Sequence, residues 1–394
     1  MPDKLLYELV HSELKGRIAG GRYPVGQRLP SPADLCEEFS VSTITIKRAL
    51  DMLAEDGYIV RRPRRGTVVV SAEPEQRRGA RGANGAVGAN GAMDTAVSAG
   101  GVAAGGTGAA LPLFGAVLTS FDDTFGSGIL TAMLAETAAR ANLIVKISFG
   151  NADAEEALIG ELLGAGVAGL AFQPSSSESV PPALLGLLAR RFPVVIIDRS
   201  FDGIPVSAVC SDNVAGGRAA TEHLLDLGHR RIGLVTSASR VSTVQDRRNG
   251  YVRAHAARGV PHDDADEFHA VDSVTPGATT SPEQDLARLT EFVRSRPEIT
   301  AYLASEHHIA LLLRKACQTL GRTVPGEVSI VCFDQAEALV DDSVFGFTHI
   351  AQAQDLMGTR VIEELFAQLA DPGAVTKHAL PTRLVPGAST AARH

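Results

Sequence analysis

The chain has 394 residues, 45% hydrophobic but only 5% aromatic and without tryptophan, which predicts more than one domain with full-sized apolar cores. No run is long and apolar enough for a membrane span. The opening MPDKLLYELVHSELKGRI is amphipathic and lacks the features of a secretory leader, so a cytoplasmic protein is expected. The net charge of -8 argues against nucleic acid, yet it is unevenly spread: Met1 to Val70 holds eleven Lys/Arg against nine Asp/Glu, with four arginines in RRPRR (Arg61–Arg65).

Apolar residues at Leu5, Leu6, Leu9, Val10, Leu14 and Ile18 follow a helical period and predict a helix from Leu5 to Ala19. The segment GGRYPVGQRLPS is turn-rich. Ser31 is a good N-cap for PADLCEEF, with Pro32 at the first helical position. Ser40 to Ser42 turn into a third helix, Thr43 to Asp56, ended by Gly57, with Ile46, Leu50 and Leu53 facing a core. YIVRRPRRGTVVV reads as two strands around a basic turn, so residues 1–71 predict an α+β winged helix-turn-helix.

Residues 72–110 are more than half Gly and Ala where they read RRGARGANGAVGANGAMDTAVSAGGVAAGGTGAA. Such a stretch buries too little surface to offset its ordering entropy, and a disordered linker spanning roughly 35 Å is expected. From residue 111 to 394, apolar strands alternate with helical patterns: LFGAVLTS, then a helix over Gly126 to Ala141, NLIVKISFG, ADAEEALIGELLGAG, VAGLAFQP, PPALLGLLARR and FPVVIIDRS, and later RIGLVTS, AYLASE and VSIVCFD. This alternation predicts α/β architecture with parallel sheets covered on both faces and ligands at the strands' carboxyl ends. Asp212 and Asn213 are expected to cap a helix from Val214, and His229 to be structural. Cys36, Cys210, Cys317 and Cys332 show no CxxC spacing and are expected as buried free thiols.

The stretch GRYPVGQRLPSPADLCEEFSVSTITIKRALDMLAEDGYIVRRPRRGTVV resembles the DNA-binding domain of GntR-type transcription regulators. The resemblance implies double-stranded operator DNA as partner. A recognition helix presents its N-terminal residues to the major groove, so Ser42, Thr43 and Thr45 would meet bases or phosphates and Lys47 a phosphate. Ser31, at the preceding helix start, joins this set, and Arg64, Arg65 and Gly66 would form the wing tip. Alone, these residues also describe a solvated hydroxyl-rich turn and charge run; the ordered frame around them favours DNA. Thr43 stands where relatives often carry arginine.

VVIIDRS, SDNVAGGRAATEHLLDLGHRRIGLVTS, QDRRNGY and TVPGEVSIVCFD with THIAQAQDLMG resemble the effector domain of LacI/GalR-type repressors. That implies a two-lobed periplasmic-binding-protein-like fold, a hinge of crossing strands, and homodimers. By position, Phe125, Gln173, Asp198, Arg247, Glu306 and Asp334 would contact the effector; relatives carry Asn-Asp where Glu306 and His307 stand. Carboxylates and an arginine at strand ends suit a polyhydroxylated, carbohydrate-like ligand. The whole chain resembles arabinose-repressor-type regulators, with the linker in place of a hinge helix. The expected function is a sequence-specific repressor controlled by a sugar or sugar derivative. An activator, or a sensor of a nucleoside or amino compound, is the alternative; a transport-type solute binder lacks its leader, and an aminotransferase-fused GntR protein lacks its lysine motif. No cofactor, catalytic residue or metal is expected: His307 and His308 are adjacent and point apart on a helix.

Overall fold

The computed structural model describes residues 6–31, 34–35, 39, 46, 49–50, 52–54, 57–62, 66–71, 111–122, 124–335 and 345–393. Ser42, Thr43, Thr45, Lys47, Arg64, Arg65, Cys36 and the 72–110 linker lie outside them. The chain divides into two compact units, Met1–Ala103 and Ala104–His394.

In the first unit, helix α1 (Leu6–Ala19) buries Val10, Leu14 and Ile18, one side chain per turn. They pack with Leu35, Ile46, Leu50 and Leu53, so the third helix faces the core as its spacing predicts. Gly57 takes φ 80 and its neighbour Tyr58 donates back to the Leu53 carbonyl, which ends that helix. Strands β1 (Ile59–Arg62) and β2 (Gly66–Val69) pair antiparallel with Arg62 opposite Gly66. Leu29 donates to the Thr67 carbonyl and Val69 to that of Gln27, adding a third edge to the wing. Ser31 is exposed. Its hydroxyl accepts from the Asp34 amide at 3.2 Å while Asp34 accepts from the Ser31 amide at 3.1 Å, a reciprocal cap that already engages the side chain.

The second unit has two lobes. The first lobe holds β3 (Leu113–Leu118), α2 (Ser127–Thr137), β4 (Asn142–Ile147), α3 (Ala152–Gly164), β5 (Gly169–Phe172), α4 (Pro182–Ala189), β6 (Val194–Ile197) and β7 (Ser207–Ser211). The second holds α5 (Asn213–Asp226), β8 (Ile232–Ser237), α6 (Ser242–Ala257), β9 (Glu267–Val271), α7 (Pro282–Arg294), β10 (Ala301–Ala304), α8 (His307–Thr319), β11 (Ser329–Phe333) and β12 (Thr348–Gln352). The chain then returns to the first lobe for α9 (Gln354–Ala370) and β13 (Lys377–Leu380), and crosses once more into β14 (Thr382–Val385). Each sheet has six strands, ordered β13-β7-β6-β5-β3-β4 and β14-β12-β11-β10-β8-β9. All pairs are parallel except β12 with β14.

Alternate side chains of each strand feed opposite faces. Phe114, Ala116 and Leu118 pack with Met133 and Val361 of α2 and α9, whereas Val117 packs with Ile159 and Leu184 of α3 and α4. The second lobe repeats this, with Leu234 and Leu303 toward α5 and α6 and Val235 and Tyr302 toward α7 and α8.

Three local expectations change. The helix expected over Gly126–Ala141 stops at Thr137, because Ala139 turns left-handed with φ 58. The helix expected from Val214 begins at Asn213; Asp212 alone caps it, accepting from the Ala215 amide at 2.8 Å. Cys317 and Cys332 are buried thiols as expected, but Cys210 is only half-buried. His229 is buried and bridges Thr300 (2.9 Å) and Ser329 (3.0 Å), away from the strands' carboxyl ends.

Candidate ligand-binding cleft

A cleft with about 860 Å³ of empty volume, part of it open to solvent, lies between the two lobes. It is walled by the carboxyl ends of strands from both sheets: Thr119 after β3, Gln173 after β5, Asp198 after β6, Ser237 on β8, Glu306 after β10, Asp334 after β11 and Gln352 on β12. Phe125, Gln173, Asp198, Arg247, Glu306 and Asp334, scattered over more than two hundred positions of sequence, all line this one cleft. Asp122, Thr124, Arg199, Gln352 and His307 line it as well, and sequence reasoning did not assign them a site role. Arg199 directly follows Asp198 at a strand end, a signal that was available.

Asp198 and Asp334 close equivalent strands in the two lobes, and both take left-handed backbone, φ 65 and φ 58. Aspartate tolerates this region better than most residues, and such geometry concentrates at functional sites. Gln173 is anchored by its amide oxygen, which accepts from the Thr119 amide (3.2 Å) and hydroxyl (2.9 Å). Phe125 packs on the first lobe's core, and its amide donates to the Asp122 carboxylate at 3.1 Å.

Arg247 sits on α6 and is 7% exposed. Its Nε donates to Asn213 Oδ1 at 2.8 Å, its Nη1 to the Ser305 carbonyl at 2.5 Å, and its guanidinium lies 3.9 Å from the Phe333 ring centroid. Asn213 therefore orients Arg247 instead of capping its own helix. Helices α5 and α6 meet backbone to backbone: a Cβ on Gly217 would stand 2.3 Å from the Arg247 carbonyl oxygen, and one on Gly250 the same distance from that of Val214.

Burial pushes the Asp334 carboxyl up to about 7, against the opposing pull of the Arg247 charge and the Gln352 hydrogen bond (2.7 Å). Burial likewise lifts Glu306 to about 7, again opposed by Arg247. Burial and the neighbouring His308 hold His307 down at about 4, so it is neutral near pH 7. Asp122 is different: burial acts to raise it, but hydrogen bonds from Thr124 and Phe125 outweigh that and leave it below the usual range.

These directions set a pH effect. Between its unfolded value of 3.8 and its folded value near 7, Asp334 keeps a proton in the native protein that the unfolded chain has lost, so its contribution to stability declines as pH rises through that window. Asp334→Asn removes the decline. The variant's melting temperature relative to the parent is expected to rise from about pH 4 to about pH 7 and to level off above that. A difference independent of pH would contradict the assignment.

The lobes touch at two rims. Ser177 donates to the Arg240 carbonyl, Ser242 to Ser177 Oγ, and Ser200 to Ser242 Oγ, all within 3.0 Å. Opposite them, Gly150 and Gly277, both at positive φ, let residues 149–150 meet 276–277; a Cβ on Gly150 would fall 2.4 Å from the Pro276 carbonyl oxygen. Away from the cleft, His262, Asp264 and Glu267 lie close enough together to hold a metal ion. Arg248 already pairs with Asp264 (3.0 Å) and Glu267 (2.5 Å) there.

The geometry defines a two-lobed, periplasmic-binding-protein-like sensor on the same chain as a winged helix. This is the class of ligand-responsive transcription regulators. Residues 6–69 match the bacterial regulatory proteins of the gntR family, and residues 221–390 match the periplasmic binding protein-like domain. The Arabinose metabolism transcriptional repressor of Geobacillus stearothermophilus is 25% identical over 387 residues, 96% of this chain and 95% of that protein. The transcription regulator CcpA of Lactococcus lactis superposes with TM-score 0.61 at 19% identity, covering 71% of this chain and 99% of that one. A complex of the transcriptional regulator CelR with cellobiose superposes with TM-score 0.60 at 20% identity, covering 98% of this chain and 100% of that one. One chain thus carries a gntR-family winged helix and a periplasmic binding protein-like domain. Among the described residues, no helix is long and apolar enough to cross a membrane.

Proposed function

We propose that this regulator is a repressor that binds operator DNA as a homodimer and answers to a small hydroxylated effector held between the lobes of its second unit. The pairing of a gntR-family head with a polar, charged interlobe cleft on one chain carries the reading. Regulation rather than catalysis, in the cytoplasm where the operator lies, accords with the family match. We divide the chain at 1–71, 72–110 and 111–394, and assign DNA contacts to Ser31, Ser42, Thr43, Thr45, Lys47, Arg64, Arg65 and Gly66. Effector contacts fall to Phe125, Gln173, Asp198, Arg247, Glu306 and Asp334. The named relatives, an arabinose-metabolism repressor and a regulator caught with cellobiose, favour a sugar or sugar derivative.

The mechanism is linkage. An effector that binds the closed lobes more tightly than open ones shifts the dimer toward one arrangement, and operator affinity changes by the same coupling. A flexible Gly/Ala linker would transmit this mainly through the effective concentration of the second head. The test is fluorescence anisotropy on operator duplexes enriched from a random pool by the full-length protein. Binding should be sequence-selective and should weaken by roughly 5–150-fold with one member of a sugar panel. Unselective binding would remove the operator reading; selective binding that no sugar alters would remove the effector reading.

A further inference from the structure

Among the described residues lining the cleft, Asp122, Asp198, Glu306 and Asp334 bring four carboxyl groups against the two guanidinium groups of Arg199 and Arg247. Arg247 donates to Asn213 and Ser305; Arg199 donates to the Pro174 carbonyl, and its Nε, buried without a hydrogen-bond partner, lies 3.9 Å from Asp198 Oδ2. Glu155 adds another carboxyl near Arg199, held by the Ser175 amide at 2.8 Å. Asp198 is 6% exposed, yet its Oδ1 has no hydrogen-bond partner; on the second lobe's side of the cleft Gln352 Oε1 is also buried without one. The cleft thus offers open acceptors and more carboxyl groups than guanidinium groups, the surplus held partly protonated by burial.

Burying carboxylates without a counter-charge is costly. A neutral polyol would supply donors but leave the excess in place. An ammonium group supplies three donors and the missing charge together. We propose that the ligand of this cleft carries a cationic nitrogen, as in a sugar-sized hydroxylated amine such as an amino sugar, with Glu306 and Asp198 as its specificity-determining partners. This rests on the reading of the cleft as the effector site. The raised carboxyls of Glu306 and Asp334 accord with it, since a bound cation would draw both back to the ionised form with release of protons.

The test is calorimetric titration of the full-length protein with glucosamine, galactosamine and mannosamine, each beside its neutral parent hexose and its N-acetyl derivative. Two buffers of different ionisation enthalpy at about pH 6.5 report the protons exchanged. At least one amine is expected to bind about tenfold or more tighter than its neutral counterparts, releasing protons. Glu306→Gln and Asp198→Asn should each weaken that amine by about tenfold and narrow the gap to its parent. A neutral hexose binding as tightly as its amine overturns the inference and leaves the effector reading intact. Amine affinity unchanged in both variants overturns it too. So does the absence of amine binding; the sugar response of operator binding then decides the effector reading separately.

Discussion

Arg247→Ala is expected to abolish the effector response of operator binding and to destabilise the second unit by about 2–4 kcal/mol. The side chain is nearly fully buried, and its loss strands the Asn213 amide oxygen and the Ser305 carbonyl, which would collapse only partly around the void. It also withdraws the charge that opposes the burial-driven rise of Asp334 and Glu306. The destabilisation should therefore shrink in acid, where both carboxyls are protonated in the parent as well. Arg247→Lys should recover part of the stability but little of the response, because an ammonium cannot hold the fork between Asn213 and Ser305 while lying flat on Phe333. Calorimetric melting measures the destabilisation, and operator-binding anisotropy with and without the sugar panel measures the response. A variant that melts like the parent and still responds would remove Arg247 from the cleft's machinery.

The second large effect comes from a residue that touches no ligand. Gly250→Ala is expected to lower stability by about 3 kcal/mol or more, since overpacking here meets main chain and not a yielding side chain. The added Cβ would lie 2.3 Å from the Val214 carbonyl oxygen and 2.5 Å from the Arg218 amide nitrogen. Helices α5 and α6 would have to separate, carrying Asn213 on one away from Arg247 on the other. A melting-temperature loss of about 2–4 °C for each kcal/mol is expected in a domain of this size, with weakened effector affinity alongside. Gly160→Ala, on an open helix face, is the control and should be neutral or slightly stabilising. Equal behaviour of the two variants would show that the close crossing does not matter.

Much of the cleft was legible before folding because its residues sit where chain geometry leaves few choices. Asp198 and Asp334 each follow an uninterrupted apolar strand, and a polar residue there can only emerge at the carboxyl edge of a buried sheet. The strands not anticipated, such as Glu267–Val271, Lys377–Leu380 and Thr382–Val385, lie at sheet edges and carry charged or polar residues where solvent reaches one side, which erases the continuous apolar signature. Asn213 looked like a cap because capping and side-chain pairing use the same residue type.

By itself the sequence determined the order of elements, the winged helix and its hydrophobic core, the alternation that makes two parallel sheets, and the chemical character of the strand ends. These follow from period, propensity and composition, which are local along the chain. Only the tertiary structure decided which strand ends share one cavity, that Asn213 holds Arg247, that glycines bring α5 and α6 into main-chain contact, and that acids outnumber arginines where they meet. Those facts depend on distances between residues far apart in sequence. Burial, and with it the shifted acidity of Glu306 and Asp334, exists only once both lobes have closed the same space from water.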